Sequence, residues 1–275
     1  MHSFPISNDY VVEFDEALGV LWSVWRAESP PYFSPTLLHD MNYGISTIKD
    51  GTFKAADLFR YFVLRSRRKN IFNLGGDLDF FKKTILSGDR ESLLSYAKQS
   101  ADMMYALYSG FDKNATTVAL VQGKCVGGGF EVAVACDYIV AERHADFCFP
   151  EIQLGIFPGM GALPLLARRL SKHDYEAVCQ SGRSFSAEEL ANMGLIDLLA
   201  ETGQGEQAIL EWIKKRHSVF PSHQTMSSIR KSATLLSRSD FHSGVESWVD
   251  IVMSLDRRRL ALLSLAIDKQ RIGAP

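Results

Sequence analysis

Apolar residues come in short bursts through the first two thirds of the chain and in helical stripes through the rest. Residues 10–15 and 19–25 are rich in Val, Phe, Leu and Trp, with Glu16-Ala17-Leu18-Gly19 between them, a pattern that predicts a strand pair. Glu28-Ser29-Pro30-Pro31 breaks it. Ser34-Pro35 then opens a helix, Ser as cap and Pro in the first turn. Leu37, Leu38, Met41, Ile45 and Ile48 follow at helical spacing, and Gly51 can end the run. Leu58 to Leu64 reads as a strand, followed by a loop holding Gly75-Gly76. Residues 90–109 place Leu93, Leu94, Ala97, Met104, Leu107 and Tyr108 on one helical face. Thr117 to Val121 predicts a buried strand, residues 129–136 a helix behind three glycines, and Tyr138–Ala141 and Phe147–Phe149 two more strands.

From Gly159 onward the pattern is mainly helical, with Ser171, Ser186 and Ser239 as candidate caps. Strand-helix repeats followed by a helical tail predict an α/β fold of stacked layers with right-handed crossovers. The expected division is a core over residues 1–200 that holds the site, and a helical region over 201–275 for oligomerisation and pocket covering. Trp212, Phe220, Trp248, Val252 and Leu260 in that tail must be buried, on the core or on a partner subunit.

Composition narrows the classes. A net charge of −2 with 23% charged residues gives no nucleic-acid surface and no disordered acidic chain. The four cysteines lack C-x-x-C or zinc spacing and read as free thiols in a reducing compartment. Met1–Tyr10 shows no signal-peptide pattern and no apolar run reaches bilayer length, so a cytoplasmic location is expected. Arg65, Arg67, Arg68 and Lys69 form a basic run that is either a solvated loop or a seat for phosphate.

The candidate chemistry lies between Asn73 and Gly161. The dinucleotide fingerprint fails, because Val132 stands where its third glycine belongs; the phosphate-loop pattern fails at Cys125 after Gly123-Lys124. The glycines fit another use. Unpaired amides from Asn73-Leu74-Gly75-Gly76-Asp77 and Val126-Gly127-Gly128-Gly129 can together bind one oxygen that gains negative charge. Glu131 falls in the first turn of the helix behind the second loop, and Glu151 follows Phe149-Pro150. A carboxylate pair in an apolar pocket can split acid and base roles.

Phe72–Leu78 and Val121–Gly161 resemble the crotonase, or enoyl-CoA hydratase/isomerase, superfamily. The resemblance implies a ββα spiral core, an oxyanion hole from the amides of Gly76 and Gly128, and Glu131 and Glu151 as the acid/base pair. FNLGGDL at Phe72–Leu78 and FPGMGA at Phe157–Ala162 are more similar to the bacterial diffusible-signal-factor synthases. That branch implies dehydration of a 3-hydroxyacyl thioester on acyl carrier protein to the cis-2-enoyl form, then hydrolysis to a free fatty acid used in quorum sensing. Phe80, Phe81, Met160, Leu163 and Leu166 either line the acyl tunnel or belong to ordinary core. The basic run would then meet a phosphopantetheine phosphate or the acidic face of a carrier protein. The alternatives are an enoyl-CoA hydratase using the same residues, and a non-catalytic module that binds acyl ligands or a protein. No bound cofactor or metal is expected; the substrate arrives as an acyl-ACP or acyl-CoA thioester. A homotrimer or hexamer and a regulatory sensor protein are the other expected partners.

Overall fold

In the computed structural model, which describes residues 2–217, 219–233 and 235–272, the first two apolar runs pair antiparallel as β2 (Tyr10–Asp15) and β3 (Val20–Trp25). A further strand, β1 (His2–Pro5), adds to β2. From β3 the large sheet runs on in parallel through β4 (Tyr61–Ser66), β6 (Thr116–Val121), β8 (Tyr138–Glu142) and β11 (Leu198–Ala200). A smaller sheet sets β5 (Asn70–Asn73), β7 (Gly123–Val126) and β9 (Asp146–Cys148) in parallel, with β10 (Ser184–Ser186) antiparallel at one edge. The chain steps from one sheet to the other on each pass: β4 then β5, β6 then β7, β8 then β9. Helices α2 (Leu78–Ser87) and α3 (Arg90–Ser109) follow the first pass, and α4 (Gly128–Ala135) the second. Each pass is one turn of a ββα spiral.

Alternation within the central strands sorts the layers. Leu21, Phe62, Leu64, Ala119 and Ile139 enter the main core with α3, α4 and α1 (Pro35–Lys49). Trp22, Tyr61, Val63, Val118 and Leu120 point the other way, onto Ile209 and Ile213 of α8 (Gly205–His217) and Phe220 of α9 (Phe220–Ala233). Both faces are covered, which is why these strands read as continuous apolar runs. In the tail, Phe220, Trp248 and Val252 are buried, and Trp212 and Leu260 half-buried, against this chain's own core.

Helix α1 matches its prediction closely: the Ser34 hydroxyl caps it, Pro35 opens it, and Leu37, Leu38, Met41, Ile45 and Ile48 are its buried side. Other boundaries shift. The strand expected from Leu58 begins at Tyr61, because Leu58 lies exposed in the turn before it. Ser171 and Ser186 cap α6 (Lys172–Gln180) and α7 (Ala187–Asn192), whereas α10 (Arg238–His242) is capped by Ser237, with Ser239 inside the helix. Strands β5 and β7, four residues each, carry too little apolar pattern to announce themselves, yet they deliver both glycine loops. Among the described residues no helix is long and apolar enough to cross a membrane.

Candidate active site

Gly127 is the pivot. Its φ of 54° and ψ of −127° suit glycine, and a Cβ there would come within 2.8 Å of Glu151 Oε1. The Gly127 amide donates to the Cys148 carbonyl (2.9 Å), and its own carbonyl accepts from the Glu131 amide (3.0 Å). One residue thereby joins the end of β9, the first turn of α4 and the neighbourhood of the second acid. All of α4 is buried, and Glu131 is 1% exposed. A carboxylate in that place needs partners. Glu131 Oε1 accepts from the Met160 amide at 2.9 Å and the Ala162 amide at 3.3 Å, so the Gly159–Ala162 turn wraps it.

Glu151 sits in the 3-10 turn Pro150–Leu154 that leaves β9. The ring of Phe149 stacks on Phe130, centroids 4.5 Å apart and planes 17° from parallel. Phe130 immediately precedes Glu131 and Phe149 stands two residues before Glu151, so this stack holds the two acid-bearing segments against each other. Glu151 is half-buried as a residue, but its Oε2 is fully covered and has no hydrogen-bond partner among the described residues. Burial pushes both carboxyls up. Glu131 rises to about 7 against the lowering pull of the backbone amides around it. Glu151 rises to about 8, through burial first and the charge of Glu131 second.

The two glycine loops meet in front of these acids. Gly75 has φ +89°, and a Cβ on it would lie 3.0 Å from the Gly128 nitrogen. A Cβ on Gly128 would lie 3.6 Å from the Gly76 nitrogen. The Gly76 and Gly128 amides are therefore neighbours, and neither donates to an acceptor among the described residues. Glycine at 75 is what lets the backbones approach this closely.

Both acids and both amide-bearing glycines line one cavity of about 580 Å³. Of the five apolar residues expected along it, Phe81 and Met160 are in its wall. Phe80, Leu163 and Leu166 are not. Phe80, one position round α2 from Phe81, turns onto Tyr96 at 5.4 Å between ring centroids. Leu163 faces a separate cavity of about 280 Å³ beside Phe157 and Phe241, and Leu166 is fully buried in α5 (Leu163–Arg169). The Gly159–Ala162 turn, whose Met160 and Ala162 amides bond Glu131, comes just before α5, and it supplies Met160 to the cavity wall in place of the two leucines. The three arginines of the basic run also go elsewhere, and Lys69 is exposed outside the cavity wall. Arg65 stacks over Trp22 (4.8 Å) and pairs with Glu13 and Glu206, Arg67 pairs with Glu13 at 2.5 Å, and Arg68 donates to the Ser29 carbonyl. The cations on the cavity wall are instead Lys124 and Lys269, both exposed.

A family model described as enoyl-CoA hydratase/isomerase matches residues 32–245. The chain belongs to the enoyl-CoA hydratase/isomerase family. Over 87 residues it is 44% identical to the mevalonyl-coenzyme A hydratase sidH of Aspergillus fumigatus, a stretch that is 32% of each protein. It is 28% identical over 187 residues to the peroxisomal bifunctional enzyme of Cavia porcellus, covering 67% of this chain and 23% of that one. The aligned stretches thus span about a third or less of these curated relatives. The fold is shared with the crystal structure of enoyl-CoA hydratase from Bacillus halodurans: TM-score 0.74, 19% identity, 96% of this chain and 98% of that one. The α/β fold expected from the strand-helix repeats, and the ββα spiral that the resemblance implies, are the fold of this chain.

Several residues at this site carry no signal by spacing alone. Tyr96 and Ser100 on α3 reach the cavity from a helix whose apolar stripe reads as plain core. Trp248 of α11 (Val245–Met253) and Leu265, Lys269 and Gln270 of α12 (Arg257–Ile272) arrive from more than a hundred residues beyond the glycine loops. The helical tail offers only amphipathic periodicity, and nothing in it announces which face meets the cavity.

Proposed function

We propose that the protein adds water to 2-enoyl thioesters, and in reverse dehydrates 3-hydroxyacyl thioesters, at the cavity of Glu131 and Glu151. The observation that carries this reading is the convergence of two buried carboxyls and two unpaired glycine amides on one mostly apolar space. The family agrees with it, and so does the hydratase named among the curated relatives. The amides of Gly76 and Gly128 hold the thioester oxygen and stabilise the charge it gains as water adds.

Two carboxylates buried together resist double ionisation, so the pair rests with one proton. The Met160 and Ala162 amides favour the charge on Glu131, which leaves the proton on Glu151. In hydration, Glu131 takes a proton from water as the water oxygen bonds Cβ, and Glu151 gives its proton to Cα. A proton passing from Glu131 back to Glu151 resets the pair. Lys124 and Lys269 at the rim offer positive charge to the phosphates of a CoA or phosphopantetheine carrier.

The finer reading, release of a free cis-2-unsaturated acid as a diffusible signal, rests on the FNLGGDL and FPGMGA stretches. Water attacking the thioester carbon would load charge onto the same oxygen, and the thiol would leave with a proton. The test is to give the purified protein trans-2-enoyl-CoA and 3-hydroxyacyl thioesters on CoA and on acyl carrier protein. Enoyl absorbance follows hydration, and mass spectrometry follows free acid. Hydration without free acid ends the finer reading. Ligand binding with no turnover of any thioester ends the hydratase reading and leaves an acyl-binding module.

A further inference from the structure

The segment that presents the Gly76 amide is accounted for almost group by group. The Leu74 amide donates to the Pro31 carbonyl (2.7 Å), the Gly75 amide to Asn73 Oδ1 (2.8 Å), and the Gly75 carbonyl accepts from the Phe33 amide (2.8 Å). The remaining carbonyls are held by a side chain from the far end of the chain. Gln270 is 6% exposed. Its Nε2 donates to the Leu74 carbonyl (3.2 Å) and the Gly76 carbonyl (2.9 Å), and its Oε1 accepts from the Leu78 amide (3.4 Å). Both amide hydrogens and the carbonyl of this side chain are spent on residues 74–78. The Gly76 N–H donates to no acceptor among the described residues, and Gly76 lines the cavity.

We infer that Gln270 is a positioning residue for the oxyanion site: it clamps the peptide planes on either side of the Gly75–Gly76 peptide so that the Gly76 N–H stays aimed at the substrate oxygen. This rests on the hydratase reading above. The physical need is plain. Two adjacent glycines have wide backbone freedom, and an unrestrained peptide between them can rotate its N–H away and its carbonyl inward. The Phe33 amide restrains that peptide at its carbonyl, and Gln270, by fixing the planes before and after it, completes the restraint, so the amide is held in advance and stabilises developing charge without reorganising. Burying Gln270 is otherwise costly, since an apolar residue would suit the packed side of α12 beside Leu263 and Ile267. The helix does not depend on Gln270 for docking: Leu263 and Ile267 are buried in the main core, Arg271 bonds Asp79 at 3.1 Å, and Lys82 bonds Ser264 at 2.9 Å.

The experiment compares the wild-type chain with Gln270→Met, which keeps length and bulk but makes no hydrogen bond. A chromophoric enoyl-CoA reports carbonyl polarisation by the red shift of its absorption on binding. The expected result is a kcat for hydration lowered about 10- to 100-fold, KM within about twofold, and a smaller red shift, with the unfolding midpoint lowered by a few degrees, on the order of what three lost hydrogen bonds cost, and the variant folded at the assay temperature. Arg271→Ala, which loosens α12 without touching the loop, is expected to keep kcat and the red shift. An unchanged kcat in Gln270→Met overturns the inference, and so does a loss of kcat with the full red shift retained. An equal loss in Arg271→Ala overturns it as well, because helix docking would then explain the effect. A wild-type protein with neither turnover nor red shift removes the parent reading and this inference with it.

Discussion

Replacing Glu151 by Gln sets stability against activity in a way few other roles for this residue would produce. The side chain keeps its shape but can no longer ionise. In the folded protein its carboxyl is raised from 4.5 to about 8, by burial and by the charge of Glu131. Between those values the folded state holds a proton that the unfolded chain has released. Stability therefore falls as pH rises through that window and levels off above it. A shift of that size corresponds to something on the order of 5 kcal/mol. Part of that shift belongs to the coupled pair with Glu131 rather than to Glu151 alone, which brings the expected share down to about 3 kcal/mol. For a chain of this size that is roughly 6–12 °C of unfolding midpoint. Glu151→Gln should thus be the more stable protein at pH 9 by about that margin, relative to the difference between the two at pH 5. Its kcat should fall about 10²- to 10⁴-fold, with the loss of a group that hands over a proton. The assay is paired thermal melts across pH 4.5–9 alongside initial rates of enoyl-CoA hydration. Parallel melting curves for the two proteins, or a variant that hydrates at the wild-type rate, would refute the reasoning.

Three further outcomes follow from the same geometry. A methyl group at Gly128 would come within 2.5 Å of Met160 Sδ, so Gly128→Ala should shift that flexible side chain into the oxyanion site and lower kcat about 10²- to 10³-fold, read by steady-state rates on a folded variant. Trp248 packs edge-on to Phe81 at 5.3 Å in the cavity wall; Trp248→Ala should cost about 3–5 kcal/mol in a denaturant melt and shift the kcat/KM optimum toward longer acyl chains. Arg67→Ala should leave KM for enoyl-CoA unchanged, because Arg67 is paired with Glu13, whereas Lys124→Ala and Lys269→Ala should each raise it a few-fold; the ratio of these KM values checks where the carrier phosphates lie.

Much of the fold is local in origin and legible from the chain. Ser34-Pro35 with its apolar stripe is a complete helix signal, because capping and helical spacing act over one or two turns. The apolar runs of β3, β4, β6 and β8 announce strands covered on both sides. The glycine loops and the two glutamates can be picked out as chemistry, since glycine next to a helix start and carboxyls in apolar company are each out of keeping with plain core. Sequence patterns could not choose walls. Phe80 and Phe81 are adjacent, chemically alike and both packed on Tyr96, and only the tertiary packing puts Phe81, against Trp248, in the cavity wall and leaves Phe80 out of it. The basic run read equally well as a phosphate seat, and only the pairing of β2, β3 and β4 sets Glu13 beside Arg65 and Arg67.

The sequence by itself determined the main helices, the long apolar strands and the residue types able to move a proton or hold an oxyanion, because these depend on periodicity and on the side chain's own chemistry. Only the tertiary structure decided which groups meet: the Phe130–Phe149 stack that brings two acid-bearing segments together, the Gly159–Ala162 turn that wraps Glu131, and the reach of Gln270 back to residues 74–78. Those contacts join residues up to 196 positions apart, and no local preference of the chain encodes a meeting across that distance.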